Sequence, residues 1–265
     1  NMTLEQYQRI FYIEWLHRLI ARLAGLFYAI PAFNFLIKGA IPLKEFGIYV
    51  LMGLLFIGQA FMGWFMVASG LVDRPSVSHF RLTLHLLLAL SLFGLSLGVA
   101  LGHRNGFPDF SNKFKWSGFT KLAVTGMIVL LIQISYGGFT AGLKAGHVSN
   151  TWPLMFGKWL PAGLFSNGIN LIKSPQTIVF VHRWFAFIVL IFGIVLYILA
   201  RKRNYPTSIT KGILWILGLG SLQIVLGIFV VIFNVQISLA LLHQLTAVIL
   251  FGWAVFLIDR LRVLN

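Results

Sequence analysis

Seven apolar runs, at roughly 13–37, 46–69, 79–102, 118–140, 177–200, 210–233 and 237–258, constrain this chain more than anything else in it. Each is long enough, at about 1.5 Å of helical rise per residue, to cross a hydrocarbon layer ~30 Å thick. The chain is 58% hydrophobic and 10% charged, whereas soluble domains carry about 25% charged residues. No water-soluble core could hide this much apolar sequence, so the expected fold class is all-α, a polytopic membrane protein with lipid as its main solvent. Prolines fall mostly in the connections, at Pro42, Pro75, Pro108, Pro161, Pro175 and Pro206, while Pro31 predicts a kink within the first run.

The formal charge of +15 does not point to nucleic acid, because no basic stripe runs beside stacking aromatics. The positive residues punctuate the apolar runs instead. Lys38, Lys44, Arg104, Lys113, Lys115, Arg201, Lys202, Arg203, Lys211, Arg260 and Arg262 fall on one side, which the positive-inside rule places in the cytoplasm or matrix. The opposite connections carry Arg74, Lys144, Lys158 and Lys173, so the N-terminus is expected outside and the C-terminus inside. With zero cysteines, disulfides, thiolate-ligated heme and C-x-x-C-H heme attachment are excluded. The polar stretch Asn1 to Arg9 is no signal peptide and reads as a loop met mid-chain; the Asn1-Met2-Thr3 sequon is too short to carry weight. The long connection 141–176 holds Gly142, Gly146, Trp152, Pro153, Trp159 and Pro161 and is expected to form an ordered cap at the outer interface.

The two halves of the chain repeat one another. His17-Arg18-Leu19-Ile20-Ala21-Arg22 in the first span has its counterpart in His182-Arg183-Trp184-Phe185-Ala186-Phe187 in the fifth. Gln59, Gly63, Phe65 and Val67 in the second recur at the same spacing as Gln223, Gly227, Phe229 and Val231 in the sixth. His85 opens the third span as His243 opens the seventh, and the separations agree, with 68 residues from His17 to His85 and 61 from His182 to His243. The expected architecture is two pseudo-symmetric helical bundles, 1–116 and 117–265, with seven transmembrane helices here and an eighth, the missing partner of the fourth, preceding residue 1.

Spans one, three, five and seven run in the same direction, and each places a histidine, His17, His85, His182 or His243, near its outer end. One such histidine is commonly a packing residue bonded to a neighbouring helix. Four in step with a repeat point to ligation, because ionisable groups inside a membrane are costly. Two imidazoles facing each other across an apolar bundle suit the axial positions of heme iron. Zinc fits less well, since it takes three or four ligands and no thiol or carboxylate accompanies each pair. The expected iron sites are His17/His85 and His182/His243. Heme propionates are anions, and Arg18, Arg81 and Arg183 beside these ligands are candidates to hold them, although each could equally reach lipid headgroups. His79, His103 and His147 sit in or beside loops and are read as solvated or interfacial.

The halves differ where a reaction would need groups. Glu14 precedes His17 by three residues, whereas Val179 holds that position before His182; Arg22 is replaced by Phe187 and Arg81 by Leu239. Holding a redox heme needs two histidines and an apolar pocket. Transforming a ligand needs proton-transfer groups as well. The first half is therefore the candidate reaction site, with Glu14 as its catalytic carboxylate, although an ion pair to Arg18 at i+4 would also explain that residue.

Glu14-Trp15-Leu16-His17-Arg18 with Arg22 and Gly25, Gln59 to Leu71, Val77-Ser78-His79-Phe80-Arg81 leading to His85, and Gly137 to Gly146 followed by Asn150-Thr151-Trp152-Pro153-Leu154-Met155 together resemble the heme A synthases, in their cysteine-free alphaproteobacterial and mitochondrial branch. The resemblance covers essentially the whole chain and lacks only that family's first helix. It implies oxidation of a methyl group of heme O to the formyl group of heme A by successive hydroxylations, for cytochrome oxidase assembly. It further implies that His17 and His85 bind the substrate heme, that Glu14 assists the chemistry, and that His182 and His243 hold a resident heme b. The expected setting is the bacterial cytoplasmic membrane, or alternatively the mitochondrial inner membrane. Heme O synthase, cytochrome oxidase assembly factors and a second copy of the chain are candidate partners. The competing readings are a non-catalytic di-heme b-type cytochrome and a heme-carrying assembly factor; neither gives Glu14 a task in one half only.

Overall fold

The computed structural model describes residues 3–70, 77–107 and 116–264. Arg74, Pro75, Pro108, Lys113 and Lys115, together with Asn1, Met2 and Leu71, lie outside the described residues. Helices account for nearly all of the rest: α1 (Leu4–Ile37), α2 (Leu43–Gly70), α3 (His79–Asn105), α4 (Gly118–Gly142), the one-turn α5 (Asn170–Lys173), α6 (Pro175–Lys202), α7 (Thr207–Ile232) and α8 (Ile237–Leu264). All but α5 are long and apolar enough to cross a membrane. The chain is a multi-pass membrane protein.

Most of these helices are longer than the apolar runs that announced them. α1 begins at Leu4 because Thr3 closes a capping box, its side chain accepting from the Gln6 amide while the Gln6 side chain accepts from the Thr3 amide. The mixed polar and aromatic stretch 4–12 is helical too, ahead of the apolar run. The helix also runs unbroken through Pro31. At the far end of the chain, α8 extends to Leu264 around buried Asp259, which pairs with Arg262 at 2.6 Å and accepts from Asn105 Nδ2 at 2.7 Å.

Contacts divide the chain into two compact units, 1–64 and 65–265. In the first, Tyr28 on α1 donates its hydroxyl to the Tyr49 carbonyl of α2 and stacks on Phe56 with ring centroids 5.0 Å apart.

In the second unit α4 is central, packing on α3, α6 and α8, while α7 lies against α6 and α8. The core is layered along the helix axes. One end is filled by Phe119, Ala200, Ile209, Ile213, Leu257 and Leu261, and the middle by Leu90, Leu130, Leu250, Phe251 and Ala254. At the opposite end Ala145, Met155 and Val179 join the long connection to α6. Large apolar side chains such as Ile191, Trp215 and Leu245 face outward, as expected where lipid replaces water. α3 and α4 approach closely through small residues: a Cβ on Gly138 would lie 2.6 Å from Thr83 Oγ1, and one on Gly142 2.6 Å from His79 Cα.

The connection between α4 and α6 is ordered, as the aromatic and proline pattern suggested. It carries a 3₁₀ turn at Ala145–His147 and a paired hairpin in which Met155 and Lys158 exchange backbone bonds of 2.9 and 3.1 Å. Thr177 of α6 donates to the Leu164 carbonyl at 2.8 Å. Ser174 caps α6 and Pro175 opens its first turn, where a missing N–H costs nothing.

Candidate functional site

His85, His182 and His243 are the seventh, eighth and seventh residues of α3, α6 and α8. All three therefore lie about two turns inside their helices. His182 and His243 are brought together. Their ring centroids lie 6.4 Å apart with the planes at 85°.

Each histidine meets a glutamine and a glycine of a neighbouring helix. Gln133 on α4 donates from Nε2 to the His182 carbonyl at 2.9 Å, and the same nitrogen lies 3.2 Å from His182 Nδ1. A Cβ on Gly137 would sit 3.1 Å from Cε1 of that imidazole. On α7, Gln223 donates to the His243 carbonyl at 2.6 Å, and a Cβ on Gly227 would sit 3.3 Å from His243 Cε1. Gln59–Gly63 and Gln223–Gly227 marked the duplication, whereas Gln133 was missed and Gly137 entered only as part of the run to Gly146. Their identical four-residue spacing was the signal that could have found them.

Three observations show that this pair fits an iron porphyrin. Two imidazoles sharing one metal at bond lengths of about 2 Å need ring centres about 6 Å apart, close to the observed separation. The Nδ1 atom of His243 is buried and has no hydrogen-bond partner among the described residues. Both rings rest in glycine cradles that any side chain would fill. Among the described residues no group of three or more His, Cys, Asp or Glu converges, so the donor set is bis-imidazole and not that of a zinc or oxygen-ligated cation site.

Arg183 follows His182 but is turned toward the cap. It is 8% exposed, its Nη1 donates to the Thr151 carbonyl at 3.0 Å, and its Nη2 donates to the Ser149 carbonyl at 2.6 Å. Above it, Trp152 stacks on Trp184 and Phe187, with centroids 5.6 and 6.2 Å away. The cap is thus clamped to the helix that carries His182. Arg81, on α3 one turn before His85, places its guanidinium 4.5 Å over the Phe65 ring.

His17 and Glu14 lie on α1, in the first unit. Glu14 Oε1 is 3.1 Å from Arg18 Nη1, with both side chains about half exposed, so the i+4 ion pair is present. Among the loop histidines, His103 and His147 are exposed, while His79 is half-buried with Nε2 2.9 Å from the Ile172 carbonyl.

A family model described as COX15-CtaA, cytochrome oxidase assembly protein, matches residues 1–255. The chain belongs to the COX15-CtaA family. Curated relatives carry the name heme A synthase. That of Flavobacterium johnsoniae is 36% identical over 271 residues, covering 98% of this chain and 77% of its own length. The Wolbachia pipientis wMel protein is 37% identical over 267 residues, covering 99% and 73%, and the Agrobacterium fabrum protein 38% over 261 residues, covering 96% and 70%. The likeness spans both halves of the repeat, so α1 with Glu14 and His17 belongs to the COX15-CtaA match as much as the His182/His243 pair does.

Proposed function

We propose that this chain is a heme A synthase, an oxidoreductase that converts a methyl group of its substrate, heme O, to the formyl group of heme A for cytochrome oxidase assembly. The observation that carries the reading is the combination of family membership with a bis-histidine pair at heme spacing, His182 and His243, in a membrane bundle. In this reading the second bundle, 117–265, holds a resident heme b on His182 and His243, and the first, 1–116, takes heme O on His17 and His85. Heme iron supplies the redox chemistry when bound. The protein's own residues bind, orient and move protons.

Each hydroxylation with water as the oxygen source releases a pair of electrons and a pair of protons. Glu14 is the proton acceptor for that step, and its carboxylate pairs with the Arg18 guanidinium at 3.1 Å. Arg18 and Arg81 are the candidate contacts for heme propionates. Arg183 keeps Nε and the remaining hydrogens of Nη1 and Nη2 for the same purpose, after its two bonds to the cap. The membrane is the bacterial cytoplasmic membrane.

Expression of the full-length protein with a source of heme O, followed by extraction and mass analysis of its hemes, tests this function. Heme A or its alcohol precursor is the expected product. Recovery of heme b and heme O alone, from protein that carries both, would reject the enzyme and leave a cytochrome or carrier.

A further inference from the structure

We propose that Gln-x-x-x-Gly is a two-part socket that positions each axial histidine of the second bundle, with Gln133–Gly137 holding His182 and Gln223–Gly227 holding His243. The inference rests on the reading that these histidines hold heme, and it assigns the four residues around them a positioning role.

The geometry separates two tasks. The glutamine amide reaches a helix-backbone carbonyl that belongs to the histidine itself, at 2.9 Å for His182 and 2.6 Å for His243. A carbonyl oxygen has two lone pairs, so it accepts this bond beside its own helical one. The bond thereby fixes the height and rotation of α6 against α4, and of α8 against α7, at the residue that matters. One turn further along the same helix face, the glycine lets its backbone lie against the ring edge, which fixes the imidazole's swing. At His182 the same Gln133 nitrogen also lies 3.2 Å from Nδ1, so the amide touches the ring as well as the backbone.

Chance does not account for the pattern. Glycine is 26 of 265 residues, so a glutamine has a glycine four places on about one time in ten. Of the eight glutamines, Gln59, Gln133 and Gln223 have one. Two of those three sit on the two paired histidines, and the third is the duplicate of Gln223 on α2.

The test uses the purified full chain with its bound heme and measures heme affinity, midpoint potential and the low-spin electron paramagnetic resonance signature. Gln133→Leu and Gln223→Leu remove the donor at similar size and are expected to weaken heme binding about 10–100-fold, the usual effect of losing a group that orients a metal ligand. Gln133→Glu, which keeps the shape but cannot donate, is expected to match Gln133→Leu. Gly137→Ala and Gly227→Ala place a better helix former in the helix, yet push the ring by a few tenths of an ångström; they are expected to retain heme with shifted potential and g-values. His182→Ala and His243→Ala run in parallel and are expected to lose the signature. Wild-type affinity, potential and g-values in all the Gln and Gly variants, with loss in the His variants, would overturn the socket and leave the heme site standing. If the His variants kept the wild-type signature, the ligand assignment would fall and the socket with it. Should the Gln variants not fold, the two alanine variants decide alone, and unchanged potentials and g-values in them overturn the proposal.

Discussion

Replacing Arg183 by methionine removes the clamp between α6 and the cap while keeping most of the side chain's volume. Two bonds from a charged donor are lost, to Ser149 and Thr151. Each such bond contributes about 1.5–3 kcal/mol, so the gross loss is about 3–6 kcal/mol. Against this, burying a guanidinium whose Nε has no partner among the described residues already costs something like 2 kcal/mol, a penalty methionine does not carry. The net effect on cap closure is about 2 kcal/mol, or roughly a 30-fold rise in the open population. Lys158 lies in the cap hairpin and is exposed, so trypsin reports the opening directly. Cleavage after Lys158 in detergent-solubilised protein, under conditions where reclosing outpaces cutting, is expected to speed up about 30-fold. Arg183→Lys, which can satisfy only one carbonyl at a time, is expected to fall between. A cleavage rate within about threefold of wild type for Arg183→Met would refute the clamp and return Arg183 to other duties.

Glu14→Gln is expected to lower conversion of heme O to heme A by about 10²–10⁴-fold, the usual contribution of a positioned acid–base group, with heme O still recovered from the protein. Its half-exposed ion pair with Arg18 is worth only tenths of a kcal/mol, so thermal stability should not move. Gly142→Ala places a Cβ against the His79 backbone, which cannot yield like a side-chain tip, and is expected to cost about 1–3 kcal/mol and lower the melting temperature by several degrees. Asp259→Asn removes the partner of Arg262 near the C-terminal end of α8; because Arg262 is partly exposed the expected loss is about 1–2 kcal/mol, and a double-mutant cycle with Arg262→Met should recover most of it as coupling.

The spans were legible because length and apolarity are what a bilayer demands, and the same criterion hid the true ends of α1 and α8. Those ends are held by a capping box at Thr3 and Gln6 and by the Asp259–Arg262 pair, which are polar and lie where hydropathy falls away. The pairing of His182 with His243 was legible through the duplication, since a repeat places equivalent residues at equivalent depth. Gln133 was not, because the comparison of halves gave it nothing in this sequence to match. Arg183 beside a ligand read as a propionate contact on sequence grounds. The direction of its side chain depends on how a connection of more than thirty residues folds back, and no local pattern encodes that.

The divergence between the halves has a structural account on the second side. Val179, where the first half has Glu14, is 1% exposed and packs with Ala145 and Met155 beneath the cap. Phe187, where the first half has Arg22, stacks on Trp152 of the cap. Arg183, the counterpart of Arg18, has cap carbonyls as partners instead of a carboxylate. All three positions flank the same histidine, and all three hold one loop down. A carboxylate at 179 would be buried without a partner, at a cost of several kcal/mol. A carboxylate at 179 would therefore cost the second half its cover, while Glu14 in the first half sits in an accessible ion pair. A Val179→Glu variant should accordingly open the cap, seen as faster cleavage after Lys158, and should not confer a second oxidising site; appearance of heme A in a Glu14→Gln, Val179→Glu double variant with an intact cap would break this argument.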